Sequence, residues 1–141
     1  MVVEGARQVG KTFCLEQFGS NEFPDHHIFD FMENPSLKDS FKKDLNPDRI
    51  IRDLSLISGK DINPEKELII LDEIQECPEA LTSLKYFCQK KPEAFIAASG
   101  SLLGLSLSDN SFPVGKIERE FLYPMDFHEF LIACNEEKLA D

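Results

Sequence analysis

Apolar positions along the chain fall into two kinds of run, with turn residues between them. Leu68-Ile69-Ile70-Leu71 and Phe95-Ile96-Ala97-Ala98 are continuous apolar blocks, as strands covered on both faces require. Met1-Val2-Val3-Glu4 reads as the tail of another strand, and His27-Ile28-Phe29-Asp30-Phe31 as a short aromatic and β-branched one. Ile117 to Leu122 alternates and predicts a fifth. Elsewhere the apolar residues recur at helical spacing. Phe13, Cys14, Leu15 and Phe18 predict a helix from Lys11 to Phe18, ended by Gly19. Asn34-Pro35 and Asn46-Pro47 are helix starts, asparagine as cap and proline at the first helical position. Leu37 and Phe41 share a face of the first; Ile50, Ile51, Leu54 and Ile57 follow in the second until Gly59. Pro78 opens a helix with Leu81, Leu84 and Cys88 along one stripe. Asp126 and Glu129 have capping-box spacing, ahead of an apolar face of Phe127, Phe130, Leu131 and Cys134. That face is either covered by the sheet or left partly bare for a docking domain.

This alternation of strand and helix predicts an α/β fold, a mostly parallel sheet covered by helices. The chain has 141 residues, so 1–141 reads as one domain. Ser106 to Pro113, rich in serine, aspartate and asparagine, is expected to be the least ordered stretch. The short first strand and the uncapped run Asn135-Glu136-Glu137-Lys138 predict a core cut from a longer protein at both ends.

Composition removes several function classes. A formal charge of −11 repels phosphate backbones, which argues against direct nucleic-acid binding. No apolar run reaches the roughly 18–20 residues of a membrane span, and the start lacks a secretory pattern. Cys14, Cys77, Cys88 and Cys134 are widely spaced, with no C-x-x-C pair and no zinc-like histidine spacing. They are expected to be reduced, mostly buried thiols of a cytoplasmic protein.

Chemistry enters at the first loop. Gly5-Ala6-Arg7-Gln8-Val9-Gly10-Lys11-Thr12 fits G-x-x-x-x-G-K-[ST] at every fixed position. Glycines let main-chain N–H groups wrap an anion, and the following helix adds its positive end. Lys11 is placed to reach the β- and γ-phosphates of a nucleotide, and Thr12 to ligate magnesium. Arg7 either contacts the nucleotide or braces the loop. The buried run at Leu68 ends in Asp72-Glu73. Ligands bind beyond the carboxyl ends of parallel strands, so Asp72 is a candidate magnesium ligand and Glu73 a candidate base for water. Ser99 and Ser101, ending the run at Phe95, are both candidates to sense the terminal phosphate. Lys116 and Arg119 are candidate transition-state cations, in this chain or across to a neighbouring subunit, with a surface ion pair as the favoured alternative. His26, His27 and His128 have no metal-like spacing and read as non-catalytic.

The phosphate loop together with Leu71-Asp72-Glu73-Ile74-Gln75-Glu76-Cys77-Pro78 resembles a family of predicted prokaryotic ATPases of the AAA superfamily. Ser83-Leu84-Lys85-Tyr86-Phe87, Gly100-Ser101-Leu102-Leu103-Gly104, Phe112-Pro113-Val114-Gly115-Lys116 and Tyr123 through Leu131 extend the likeness in the same order over nearly the whole chain. The resemblance implies a three-layer P-loop NTPase sandwich with helices on both faces of a five-stranded sheet, ordered 5-1-4-3-2. It implies ATP and Mg2+ as ligands, binding by Gly10, Lys11 and Thr12, magnesium on Asp72, the base at Glu73 and the sensor at Ser101. Many relatives carry arginine where this chain has Lys116, and lysine lacks the bidentate fork. The resemblance also implies a C-terminal domain, whose conformation ATP hydrolysis would drive, and a homo-oligomer as a further arrangement. The alternatives are a nucleotide-dependent switch with negligible turnover and a P-loop small-molecule kinase. The Asp72-Glu73 pair and the missing arginine-rich lid weigh against the kinase.

Overall fold

A computed structural model describes residues 1–101 and 115–135. The elements in chain order are β1 (Val2–Glu4), α1 (Lys11–Glu22), β2 (His26–Asp30), α2 (Leu37–Lys42), α3 (Pro47–Ser58) and β3 (Leu68–Asp72). A 3-10 turn (Ile74–Glu76), α4 (Pro78–Lys90), β4 (Ile96–Gly100), β5 (Arg119–Phe121) and α5 (Phe127–Ala133) follow. The five strands form one sheet in the order β2-β3-β4-β1-β5, and every pairing is parallel. This is the expected order 5-1-4-3-2 read from the other edge.

Side-chain alternation along the strands divides the core in two. Val2, Phe29, Ile69, Leu71 and Ala98 face one side, where they meet Leu37 and Phe41 of α2, Ile50 and Leu54 of α3, and Leu84 and Phe87 of α4. Val3, Leu68, Ile70 and Ala97 face the other, against Leu15 of α1. All five residues of β3 are buried, which is why its sequence shows no polar alternation. Each large side chain so buried contributes roughly 1.5–3 kcal/mol. Helices therefore lie on both faces, and α1 departs to the face opposite α4.

Most local signals act where they stand. Asn46 Oδ1 accepts from the N–H groups of Asp48 (3.0 Å) and Arg49 (3.5 Å), with Pro47 opening α3. The Asp126–Glu129 capping box is formed. Other elements differ from their sequence reading. Gly19 does not end α1; the helix runs to Glu22, and Gly19 is buried within it. A Cβ there would lie 2.8 Å from His26 Cβ, so the glycine serves the close approach of α1 to β2. Asn34 and Pro35 form a turn, with Leu37 N–H bonded to the Asn34 carbonyl, and α2 starts only at Leu37. Of the cysteines, only Cys77 is buried; Cys88 is half-buried and Cys14 and Cys134 are exposed. Of the α5 face, Leu131 alone is buried, while Phe127 is 75% and Phe130 51% exposed. The stretch Ser106 to Pro113 lies outside the described residues. Among the described residues no helix is long and apolar enough to cross a membrane.

Candidate functional site

The loop between β1 and α1 turns back on itself through two left-handed residues, Gln8 (φ 63°) and Gly10 (φ 96°). Gly5 sits tightly under this turn: a Cβ would come 2.2 Å from the Leu122 carbonyl oxygen, closer than any side chain permits. Ala6, Arg7 and Gln8 form the exposed outer rim of the loop, and Val9 and Gly10 its half-buried return. Lys11, the first residue of α1, is only 4% exposed. Its ammonium donates to the carbonyls of Ala6 (2.7 Å) and Gly5 (3.1 Å), so the cation is held at the centre of the loop.

Thr12 follows, and its hydroxyl donates to Asp72 Oδ2 at 2.6 Å. Asp72 ends β3 and is 3% exposed. Its other oxygen accepts from the Glu73 N–H (3.1 Å) and from the Ser99 hydroxyl. A buried carboxylate against a hydroxyl, both at the carboxyl edge of a parallel sheet, is a hard oxygen pair. Magnesium suits it, because that ion takes one or two protein oxygens and fills the rest with water and phosphate.

Beyond Asp72 the chain turns sharply. Glu73 adopts φ 53° and ψ 45°, a left-handed conformation unusual for a residue with a long side chain. The bend starts the 3-10 turn and brings Gln75 over Glu73. Gln75 Nε2 donates to Glu73 Oε2 (2.5 Å) and to Ser101 Oγ (3.4 Å), while Gln75 Oε1 accepts from the Ser101 N–H (3.3 Å). The two serines at the end of β4 therefore have different partners, Asp72 for Ser99 and Gln75 for Ser101.

A family model for the AAA domain matches residues 1–131. The chain belongs to the AAA domain family. No curated protein matches it. Membership points to nucleotide binding and to ATPase chemistry, and the all-parallel sheet with helices on both sides agrees with it.

Within this AAA domain the remaining candidates are scattered. Arg119 at the start of β5 pairs with Glu4, at 2.5 Å and 2.6 Å from its Oε1, and Glu4 is nearly buried just before the phosphate loop. Lys116 precedes β5 and is exposed. It borders a cleft of about 180 Å³ with Val2, Leu84, Phe87 and Ile96, at the edge of the sheet opposite the loop. His27 bonds Glu67 (3.0 Å) and His26 packs on Gly19, both away from the loop; His128 lies on α5. Burial pushes the Cys77 thiol above its ordinary pKa, which keeps it protonated beside the 3-10 turn. Among the described residues no group of three or more His, Cys, Asp or Glu is arranged to hold a metal.

Sequence reasoning missed Gln75 as a residue of the site. Its one signal was position: an amide two residues after an acid pair, at a strand end. Spacing alone does not distinguish that from a solvated glutamine.

Proposed function

We propose that this AAA domain binds ATP with magnesium and hydrolyses it, and that hydrolysis resets the conformation of an attached C-terminal domain. The observation that carries the reading is the 2.6 Å contact from Thr12 to the buried Asp72, which joins the phosphate loop to the carboxyl edge of the sheet. Gly5 to Thr12 would cradle the phosphates with main-chain N–H groups and the start of α1. Lys11 would exchange the carbonyls of Gly5 and Ala6 for β- and γ-phosphate oxygens. Thr12 and Asp72 would hold magnesium, which supplies charge neutralisation for the phosphates when bound. Glu73 would orient a water molecule and take its proton, and Ser101 would contact the γ-phosphate or that water.

A second reading, a nucleotide switch with negligible turnover, is favoured by one observation. Arg119 is already paired with Glu4 beneath the phosphate loop, and Lys116 lies at the opposite ends of the strands, away from the loop. A cation donated by a neighbouring subunit would resolve it. Single-turnover hydrolysis by the full-length protein, with and without a phosphate acceptor, separates the readings. Phosphate released to water supports the ATPase; tight binding with no release supports the switch; transfer to the acceptor supports a kinase.

A further inference from the structure

Glu73 and Ser101 each follow the end of a different strand, and the described structure links them through one side chain. Gln75 uses its amide nitrogen on the Glu73 carboxylate and on the Ser101 hydroxyl, and its amide oxygen on the Ser101 N–H. The three contacts differ in quality. The bond to Glu73 is short, at 2.5 Å, and those to Ser101 are 3.4 Å and 3.3 Å. The Gln75 backbone is fixed by the 3-10 turn, where the Glu76 N–H bonds the Glu73 carbonyl and the Cys77 N–H bonds the Ile74 carbonyl. Ile74 and Cys77, on either side of it, are fully buried. The amide is therefore presented from a rigid base toward a carboxylate whose own backbone is left-handed.

We propose that Gln75 is the positioning residue of this site, orienting the Glu73 carboxylate and coupling it to the end of β4 through Ser101. The inference rests on the reading of Glu73 as the base. Its physical basis is that a glutamate side chain has three rotatable bonds, so a carboxylate half-open to solvent samples several orientations unless one oxygen is held. With Oε2 bound by Gln75, Oε1 remains to accept a proton from water. A shift of Ser101 would move the amide, and with it the carboxylate. Occupancy at the end of β4 would thereby be transmitted to the base. Gln75 touches neither nucleotide nor water in this scheme, and acts only through Glu73.

Two substitutions separate positioning from simple structure. Gln75→Leu removes all three contacts. Gln75→Glu keeps an acceptor for the Ser101 N–H but cannot donate to Glu73, and sets a second carboxylate beside it. Both variants of the full-length protein should lose single-turnover rate by about 10- to 100-fold, the scale of a small misplacement of a reacting group. Their Kd for ATP with magnesium should stay within about threefold, since uniform binding is untouched. Their Tm should match the parent's. In the Gln75→Leu, Ser101→Ala double variant, the loss should be smaller than the product of the two single losses. Parent-like turnover by Gln75→Glu would overturn the proposal, leaving the glutamine a structural partner of Ser101. A rate loss matched by a rise in Kd, or multiplicative losses in the double variant, would overturn it as well. A parent that binds ATP without turning it over would remove the base role of Glu73 and this proposal together. A parent that hydrolyses ATP while both variants match it would remove this proposal alone.

Discussion

Thr12 and Asp72 are 60 residues apart in the chain, and the hydroxyl of one donates to the carboxylate of the other at 2.6 Å. Neither contact partner is free to wander. Thr12 lies in the first turn of α1, and Asp72 ends a strand buried along its whole length. Ser99 from β4 and the Glu73 N–H hold the second carboxylate oxygen. The pair is thus held in place by three separate elements, the preorganisation that the proposed magnesium role would need.

Lys11 should dominate nucleotide affinity. Lys11→Ala removes a buried cation whose proposed contacts to phosphate, being charge-assisted, would be worth roughly 1.5–3 kcal/mol each. Titration with a fluorescent ATP analogue is expected to give at least a tenfold weaker Kd. Unchanged affinity would mean that the loop does not cradle phosphate.

Asp72 and Glu73 are adjacent but should fail in different ways. Asp72→Asn takes the charge from the pair with Thr12, so the magnesium dependence of ATP binding should collapse. Glu73→Gln should bind normally and hydrolyse about 10²- to 10⁴-fold more slowly, the usual contribution of a general base. Parallel binding and single-turnover measurements check both, and equal loss of binding in the two variants would contradict these roles.

Arg119 should matter for stability in this chain. Its guanidinium covers the nearly buried Glu4, so Arg119→Ala leaves a carboxylate without its counter-charge under the phosphate loop. The expected loss is about 1–3 kcal/mol, moderated by the partial exposure of the arginine. Urea denaturation measures it. A variant as stable as the parent but slow in turnover would instead assign Arg119 to catalysis.

Acid should loosen the sheet at the edge where β2 and β3 begin. The Asn63 N–H, and then His27, hold the Glu67 carboxyl below its ordinary pKa. A group depressed in the folded state contributes stability above its unfolded pKa, near 4.3, and loses it as pH falls through the folded value. Glu67 is half-buried and its partner His27 is neutral unless protonated, so the effect should be modest. Glu67→Gln should therefore lower the neutral plateau of a Tm-against-pH curve slightly, towards the parent's acid value, and so flatten the acid limb below about pH 4.5. An acid limb as steep as the parent's would show that the contact carries no linkage.

Several features were legible in the chain because their cause lies within a few residues. The phosphate-loop motif is spelled out within eight consecutive residues, Gly5 to Thr12. Asn46 caps α3 through N–H groups two and three residues on. The unbroken apolar run of β3 declares burial on both faces, and with it a parallel sheet. The rest depended on partners distant in sequence. Gly19 has the composition of a helix end, yet the nearness of His26 decides its use. Cys14 sits among apolar neighbours, but α1 turns it to solvent. Glu4 and Arg119 are 115 residues apart, and no local pattern joins them.

The two serines mark the boundary most sharply. Sequence alone placed both at the end of one strand, with identical chemistry and a spacing that keeps them on the same face. Register then gave them different partners. β3 and β4 align Leu71 with Ala98, so the next residues along, Asp72 and Ser99, fall side by side. Ser101 lies two residues, or about 6.6 Å, farther along the strand, beyond reach of Asp72 and within reach of Gln75. A chain specifies its turns, caps and strands through neighbours that travel with it. Which oxygen meets which carboxylate is set by the sheet, because only the packed strands fix the distance between residues that the sequence leaves far apart.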